Sequence, residues 1–422
     1  YFENINYNSK SNTVASLYLT TQDENYIHST IIDGNMNGSC VVVEYCSEEF
    51  NTFCGFTLQH GTGTTVTMTG GGIFIRESKL SIQGCIITNC ISRTGGGITC
   101  RESDVVLSGS TIKNNIALAR AGGIVISQFS EFVFDSIYKN SVFLNYGPGG
   151  GSDIARTISG MPQHIILDTA TVLYPDFHFF SSTDEYGNPL NNITWEIENG
   201  KIDQVNANLY INPGGNNTNS GLTPDEPLRN LSYAIKKILP DTNNPKTIFI
   251  ANGLYAPSVN NEIFPVTPRS YVSIVGESVE NTILDAEYIY QLLYSYLSKL
   301  VTIENITFRR GTDSQAVNSG NGGFDIGGND CLTISDIVME QVQSNFMSGI
   351  FSNFSELRIL NSKIIDNVGG YAIGLNNTKE DVIKMNIFNS IISGNGPSEA
   401  LDEGFGGSVG IYGSWSYPDA TR

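Results

Sequence analysis

Short hydrophobic runs recur along the chain, and glycine, serine and asparagine separate them. In the first quarter such runs fall at residues 73–75, 80–82 and 86–87, and most of their side chains are β-branched. Each run is too short for a helix, and none has the 3.6-residue spacing of a helical face. Short β-branched runs bounded by turn residues predict β-strands.

The predicted strands belong to a repeat of about 25 residues. Gly-Gly-Gly-Ile at residues 70–73 recurs at residues 95–98, and Gly-Gly-Ile follows at residues 122–124. Two or three short strands in a repeat of this length are typical of one turn of a parallel β-helix. We expect the isoleucines of these motifs to stack in one core column, about 4.8 Å apart. The predicted column consists of Ile73, Ile98 and Ile124.

A second marker keeps a fixed distance from the first. An asparagine lies 16 residues after each of the three isoleucines. Equivalent asparagines on successive turns can join their side-chain amides in a ladder along the axis of the solenoid. The predicted ladder consists of Asn89, Asn114 and Asn140.

The second half of the chain repeats this organisation with a looser period. Residues 301–308 resemble residues 332–339, and residues 361–367 match residues 389–395 at an offset of 28. These segments are again short β-branched strands separated by turn residues. The sequence therefore predicts an all-β chain of two tandem parallel β-helix (solenoid) units.

The repeat also sets the expected boundaries. We place the first unit at residues 1–155 and the second at residues 209–422. Residues 156–208 lack the repeat and predict a connector or cap, because an exposed terminal coil would present unpaired strand edges. One short α-helix is predicted at residues 226–239, with Pro227 in its first turn. The apolar stripe that would make this helix a lid on the second unit consists of Leu228, Leu231, Ile235 and Ile238.

At these residues the chain resembles the pectate-lyase-like superfamily of right-handed β-helices. The first unit is also similar to the polymorphic outer-membrane autotransporter proteins, whose repeat pairs Gly-Gly-Xaa-Ile with Phe-Xaa-Xaa-Asn. Here Ile86, Thr111 and Ile137 replace the phenylalanine of that family. Residues 209–285 resemble the leader of many secreted bacterial β-helix proteins. The resemblance implies right-handed coils and an extracellular or cell-surface location, but such leaders precede lyases and adhesins alike.

The net charge of −19, from 23 basic and 42 acidic residues, narrows the choice of partners. Nucleic acids and anionic membranes need a positive surface, so we expect neither as a partner. The sequence has no apolar run of transmembrane length. It opens at Tyr1 and still follows the coil pattern at residues 406–422, so we expect it to be part of a longer protein.

The cysteines do not decide between a reducing and an oxidising cellular compartment. The sequence contains no Cys-Xaa-Xaa-Cys pair, so neither a zinc ribbon nor a thioredoxin-like motif is expected. We expect most of the thiols to be small buried hydrophobic groups, with disulfides as the alternative if the protein is secreted. The seven cysteines are Cys40, Cys46, Cys54, Cys85, Cys90, Cys100 and Cys331.

The sequence predicts no catalytic site. A β-helix lyase needs a basic residue beside an acidic calcium cluster, and a β-helix hydrolase needs paired carboxylates. We find no such motif and predict no catalytic residue, no resident metal and no cofactor. Asp33 and Asp285 end matching strands in the two units, which favours a role in the fold. A structural role is also predicted for His28, His60, His164 and His178.

Two segments have alternative interpretations. Residues 212–225 form a loop rich in asparagine that either binds Ca²⁺ through side-chain oxygens or is an ordinary solvated turn. Four tyrosines alternate along a later segment and either stack on a sugar or fill the core and cover a loop. These are Tyr288, Tyr290, Tyr294 and Tyr296.

Three functions fit the sequence. The leading hypothesis is a secreted or cell-surface protein with a structural, adhesive or filament-forming role, whose partners are a surface polysaccharide or other copies of itself. The alternative is a carbohydrate-binding or polysaccharide-degrading β-helix protein. A third is a phage or contractile-tail fibre, which would require trimerisation.

Overall fold

The chain folds as an all-β parallel β-solenoid of about 12 turns. It divides into two compact units, unit 1 (Tyr1–Asp203) and unit 2 (Gln204–Arg422). The described part of this computed structural model contains four short helices. It covers residues 1–422 except 48, 65–66, 128, 159–160, 185–186, 314–320, 329–330, 346, 354–355, 378–384, 397–406 and 414–422. The predicted coil pattern at residues 406–422 therefore lies largely outside the described residues.

Unit 1 begins with two short helices among its first strands, α1 (Tyr18–Thr21) and α2 (Asn25–Ser29). Its strands are β1 (Ile5–Asn6), β2 (Thr13–Ala15), β3 (Ile31–Asp33), β4 (Val41–Glu44), β5 (Asn51–Cys54), β6 (Thr57–Gln59), β7 (Ile73–Arg76), β8 (Lys79–Gln83), β9 (Ile86–Thr88), β10 (Ile91–Thr94), β11 (Ile98–Arg101), β12 (Asp104–Ser108), β13 (Thr111–Lys113), β14 (Ile116–Arg120), β15 (Ile124–Ser127), β16 (Glu131–Phe134), β17 (Asn140–Phe143), β18 (Ile154–Thr157), β19 (Gln163–Ala170), β20 (Phe180–Ser182) and β21 (Ile193–Gly200).

These strands form three long parallel sheets, with β10 and β14 paired separately. The sheet orders are β1-β4-β7-β11-β15-β18-β20, β16-β12-β8-β5-β2 and β21-β19-β17-β13-β9-β6-β3. Each full turn contributes one strand to each sheet, so equivalent residues of successive turns lie side by side. Ile98 pairs in register with both Ile73 and Ile124, and all three side chains are fully buried.

The glycines of the repeated motif allow the turns to approach closely. Gly70 and Gly95 have φ of 66° and 62°, a conformation that favours glycine. A Cβ atom on Gly71 would lie 2.4 Å from the carbonyl oxygen of Gly96 on the next turn. The glycines are therefore required because the backbones of neighbouring turns touch at the positions directly before each core isoleucine.

Buried polar side chains link successive turns at the corners. The Asn115 Oδ1 accepts the Cys90 N–H at 3.0 Å, and its Nδ2 donates to Asn145 Oδ1 at 3.1 Å. In unit 2, Asn367 Nδ2 donates to Asn395 Oδ1 at 2.9 Å in the same way. Each of these amides satisfies a backbone group that the corner leaves without a sheet partner.

The asparagine ladder predicted from the sequence is wrong in its members. Asn89 and Asn114 are exposed and have φ of 53° and 55°, while the neighbouring Asn115 points inward. Asn140 is buried, but it is equivalent to Ser110, because Thr111 pairs with Ser141. The connection before β17 is longer than the one before β13, so a constant count of 16 residues no longer marks equivalent positions.

The segment predicted as a connector, residues 156–208, contains most of the last strands of unit 1. β18 and β20 continue the first sheet, and β19 and β21 continue the third, all in parallel pairs. Long loops between these strands remove the repeat from the sequence while the turns continue. The compact units meet in the chain after Asp203 rather than at residue 208. A capping role for this segment stays a prediction.

Unit 2 contains α3 (Leu231–Lys237) and α4 (Pro257–Asn260). Its strands are β22 (Leu209–Ile211), β23 (Lys246–Ile250), β24 (Gly253–Tyr255), β25 (Val272–Gly276), β26 (Thr282–Asp285), β27 (Leu293–Tyr296), β28 (Val301–Glu304), β29 (Thr307–Arg309), β30 (Phe324–Gly327), β31 (Leu332–Ser335), β32 (Val338–Glu340), β33 (Met347–Asn353), β34 (Leu357–Leu360), β35 (Lys363–Ile365), β36 (Tyr371–Asn377), β37 (Met385–Phe388), β38 (Ile391–Ser393) and β39 (Gly407–Gly413). The parallel sheets are β22-β23-β25-β28-β31-β34-β37, β24-β26-β29-β32-β35-β38 and β27-β30-β33-β36-β39.

The helix predicted at residues 226–239 is shorter than expected. α3 begins at Leu231, after Asn230, whose side chain accepts the Tyr233 N–H as an N-cap. Leu228 lies before the helix in extended backbone that bridges to Ile211. The four residues of the predicted apolar stripe are nevertheless all buried in the core of unit 2 with Ile211. α3 packs against β22 and β23, at the start of the first sheet.

Candidate functional site

The aspartate at the end of β26 is held by two arginines of the next turn. Asp285 is fully buried and accepts hydrogen bonds from Arg309 Nε at 2.6 Å and from Arg310 Nη2 at 2.8 Å. Burial raises the pKa of Asp285, but hydrogen bonds from Arg310, from the Glu287 N–H and from Arg309 outweigh burial and lower it. The carboxylate therefore stays charged and joins two turns of unit 2.

The equivalent aspartate of unit 1 has different partners in the same positions. Asp33 Oδ2 accepts Gln59 Nε2 at 2.8 Å and lies 2.9 Å from His60 Nδ1. Asp33 pairs with Gln59 in the sheet as Asp285 pairs with Arg309. Burial raises the pKa of Asp33, but hydrogen bonds from its neighbours outweigh burial and lower it.

The pair Asp33–His60 resembles a catalytic carboxylate–imidazole pair in its geometry. Arg310 occupies the position of His60 in unit 2, and both residues have left-handed backbone, with φ of 53° and 54°. An arginine in this position holds its charge and does not exchange protons at neutral pH. The shared feature of the two units is thus a contact between turns, which favours a structural interpretation of Asp33.

The other histidines lie apart from this pair. His164 in β19 bonds Thr194 of β21 through Nδ1 at 2.9 Å, and its Nε2 lies 3.3 Å from Glu196. His178 packs edge-on against Phe179, and His28 is exposed at the end of α2. The structure does not bring any two of the four histidines into one described site.

The four tyrosines do not form one exposed stripe. Tyr294 and Tyr296 lie in β27, with ring centroids 6.5 Å apart, and Tyr294 is buried. Tyr290 packs against the core of unit 2. Tyr288 is the most exposed of the four and lies in a turn beside Arg310, whose guanidinium is 5.9 Å from the ring centroid. The four tyrosines therefore do not share one surface, and sugar binding by them stays a prediction.

The asparagine-rich loop before α3 uses its side-chain oxygens within the chain. Asn212 Oδ1 accepts the Gly214 N–H, and Asn217 Oδ1 accepts the Arg229 N–H, both at 2.9 Å. Calcium binding in this loop stays a prediction, and these contacts give it no support. Within the described ranges, no group of three or more His, Cys, Asp or Glu side chains is placed to hold a metal ion.

The six cysteines of unit 1 are buried free thiols, and Cys331 is partly buried. Burial raises the pKa of both Cys85 and Cys100 to about 12. Cys40 and Cys90 contact each other, and the hydrogen bond with Cys40, together with burial, raises the pKa of Cys90 well above its ordinary value. These thiols are packing groups of the core.

A groove on the outer face of the first sheet of unit 1 was not predicted from the sequence. We call it the axial groove. Its volume is about 470 Å³. It crosses four turns, because Asn6 lies in β1, Glu44 in β4, Arg76 in β7 and Arg101 in β11. Four strands in register extend over about 14 Å along the axis. The lining residues are Asn4, Asn6, Asn37, Gly38, Ser39, Val42, Glu44, Thr64, Thr67, Phe74, Arg76 and Arg101.

The lining of the axial groove combines apolar surface with polar side chains and with charges of both signs. Glu44, Arg76 and Arg101 form one column, in register from turn to turn. The Arg76 guanidinium lies 5.4 Å from the ring centroid of Tyr45, and its Nε donates to Glu77 at 3.1 Å. The repeated Arg-Glu-Ser at residues 76–78 and 101–103 was the sequence signal for this column, but it does not show which way the arginines point.

Comparison with known proteins does not assign the chain to a family. The chain matches no protein-family model, no curated protein and no solved structure. Among the described residues, no helix has the length and hydrophobicity needed to cross a membrane.

Proposed function

We propose that the protein is a structural and adhesive β-solenoid of the cell surface or extracellular space, and that unit 1 binds an extended polysaccharide in the axial groove. The observation that carries this proposal is the course of the groove across four turns. A ligand that fills it runs parallel to the solenoid axis over about 14 Å. The stacked turns hold the strand residues of the lining at a fixed spacing, because each strand pairs with its neighbours in the sheet.

The lining chemistry supports a hydroxyl-rich polymer. The groove presents amide, hydroxyl, carboxylate and guanidinium groups, and each of them can exchange hydrogen bonds with sugar hydroxyls. The in-register guanidinium groups of Arg76 and Arg101 can also receive carboxylate groups on the polymer. Arg76 and Arg101 are the two cationic side chains of the lining, so replacing either one tests the role of positive charge in binding.

The experiment is a binding screen of the intact chain against immobilised pectin, alginate and glycosaminoglycans. We expect saturable binding to at least one of them, weakened about tenfold by Arg76→Ala or Arg101→Ala. Arg358→Ala is the matched control, because Arg358 is an exposed arginine of unit 2 paired with Glu356. Retention of binding by both groove variants would contradict the role of the groove.

The alternative is a polysaccharide-degrading enzyme, and Asp33–His60 is the pair that favours it. The same screen therefore includes an assay for released oligosaccharides with and without a chelator. We expect no turnover. Turnover that is lost in His60→Gln would replace the adhesive proposal with a catalytic one.

A further inference from the structure

A second depression lies on the outer face of unit 2, beside the loop that precedes α3. Its volume is about 330 Å³. One wall is an aromatic and aliphatic row in register, because Tyr210 pairs with Phe249 and Phe249 pairs with Val275. The Tyr210 and Phe249 rings stack with centroids 5.2 Å apart and planes inclined by 22°. The loop adds Pro224 and Pro227 to the lining. We call this depression the aromatic cleft.

Polar groups lie at the margin of the aromatic cleft. Asn212 and Glu277 both belong to its lining. Glu277 is exposed and uses Oε2 to accept the Asn252 N–H at 2.9 Å. A carboxylate has several acceptor positions, so Glu277 keeps acceptor capacity toward a ligand. The cleft therefore combines an apolar wall with hydrogen-bonding groups at one edge.

We propose that the aromatic cleft binds a neutral six-membered sugar ring. A pyranose has an apolar face of C–H groups and an edge of hydroxyl groups, so it complements the aromatic wall and the polar margin together. A purely apolar ring would leave Glu277 and Asn212 without ligand contacts. The Glu277 carboxylate at the margin disfavours acidic sugars in this cleft. A cleft of this volume lies at the lower end of the usual range for small-molecule sites.

This inference extends the proposed adhesive function to unit 2, and its test is separate from the test of the axial groove. The probes are methyl α-D-mannopyranoside, methyl β-D-glucopyranoside and methyl β-D-galactopyranoside, titrated into the intact chain by saturation-transfer NMR and calorimetry. Glucuronic acid and cyclohexanol are the comparison ligands, because one adds a charge and the other lacks the hydroxyl edge. We expect saturable binding of at least one neutral glycoside and about tenfold weaker binding of glucuronic acid and cyclohexanol.

The variants isolate the two halves of the cleft. Phe249→Ala removes half of the ring stack and should weaken glycoside binding about tenfold. Glu277→Gln keeps an acceptor but removes the charge, so it should reduce the preference for neutral over acidic sugar. Phe388→Ala is the matched control, because Phe388 is an exposed phenylalanine on the last described strand of the same sheet. We expect it to bind as the parent chain does.

Several results would overturn the proposal. One is the absence of saturation by any of the three glycosides up to about 100 mM. Another is unchanged binding in folded Phe249→Ala, and a third is equal binding of cyclohexanol. If Phe249→Ala does not fold, Glu277→Gln alone decides, because an unchanged sugar preference would contradict the cleft. Arg76→Ala should leave glycoside binding intact, so the loss of polymer binding in that variant tests the axial groove alone.

Discussion

Glu262 and Arg269 bind opposite ends of the same helix. The Glu262 carboxylate accepts the first two backbone N–H groups of α3 at 2.7 and 2.9 Å. Arg269 Nη1 donates to the carbonyl oxygens of Ile235 and Ile238 at 3.1 and 2.7 Å. Both side chains are 3% exposed. A single segment after α4 thus satisfies backbone groups that a helix cannot satisfy internally.

Replacing Arg269 should loosen α3. Arg269→Met keeps much of the side-chain volume but leaves the two carbonyl oxygens buried without this donor, at a cost of about 2 kcal/mol. Hydrogen exchange of peptides covering residues 228–240 should increase in the variant, and its urea midpoint for unit 2 should fall. Arg358→Met is the control, because Arg358 is exposed and bonds only a neighbouring glutamate in the described contacts. Equal protection of α3 in both variants would contradict this role.

The neighbouring asparagines 114 and 115 should respond differently to substitution. Asn115→Ala removes the buried links to the Cys90 N–H and to Asn145, and we expect a loss of about 2 kcal/mol. Asn114→Gly should be close to neutral, because Asn114 is exposed and glycine tolerates its positive φ. Thermal unfolding of the two variants checks this, and a larger loss in Asn114→Gly than in Asn115→Ala would contradict the assignment of the buried link to Asn115.

The core column of unit 1 should not accept a charge. Ile98→Asp places a carboxylate between Ile73 and Ile124. All three positions are fully buried, so the charge would be removed from water between two apolar side chains. We expect unit 1 to lose its protected amides in hydrogen exchange. Ile98→Val is the control and should cost about 1 kcal/mol while unit 1 stays folded. Protection of β11 in the aspartate variant would show that the column is not needed.

Asp285 should make unit 2 sensitive to acid. Its pKa in the folded chain is below the ordinary value of about 4, so its stabilising contribution is present above that value. The contribution is lost as pH falls through the folded pKa, because protonation weakens the bonds to Arg309 and Arg310. Asp285→Asn should lower stability at pH 7 by about 2 kcal/mol and flatten the acid dependence.

The control for this prediction is Asp33→Asn. Its partners are Gln59 and His60, and the His60 side chain is 45% exposed, so the loss at pH 7 should be smaller. Urea unfolding at pH 3 to 7, followed separately for each unit by hydrogen exchange, measures both variants. If the acid dependence of the stability of unit 2 is unchanged in Asp285→Asn, another titrating group causes it.

The cysteines should differ in their rate of alkylation. Cys85 and Cys100 are fully buried with pKa raised to about 12, so neither access nor thiolate is available in the native chain. Cys331 is partly exposed and should be modified first by iodoacetamide. Mass spectrometry of peptides after timed labelling gives the order, and the denatured chain, in which all seven thiols should react, is the control. Early modification of Cys85 would mean that unit 1 opens locally.

The sequence by itself predicted the parallel β-solenoid, and the structure confirms it. The physical reason is that neighbouring turns pair in register, so a core position must recur at a nearly constant spacing. The Gly-Gly-Xaa-Ile motif at residues 95–98 shows both demands, close approach of the backbone and an apolar side chain directly after it. The same periodicity could not assign strands β19 to β21 to the solenoid, because long loops between turns remove the spacing while the sheets continue.

Only the tertiary structure decided which polar residues bond between turns. Asn114 and Asn115 are adjacent and chemically identical in the sequence, and the left-handed backbone at Asn114 turns only Asn115 into the core. Arg310 lies 25 residues from Asp285 and becomes its partner because the solenoid closes one turn between them. The axial groove and the aromatic cleft likewise consist of residues from successive turns. Local patterns specify each turn, whereas a site across turns depends on loop lengths and side-chain directions that only the folded chain sets.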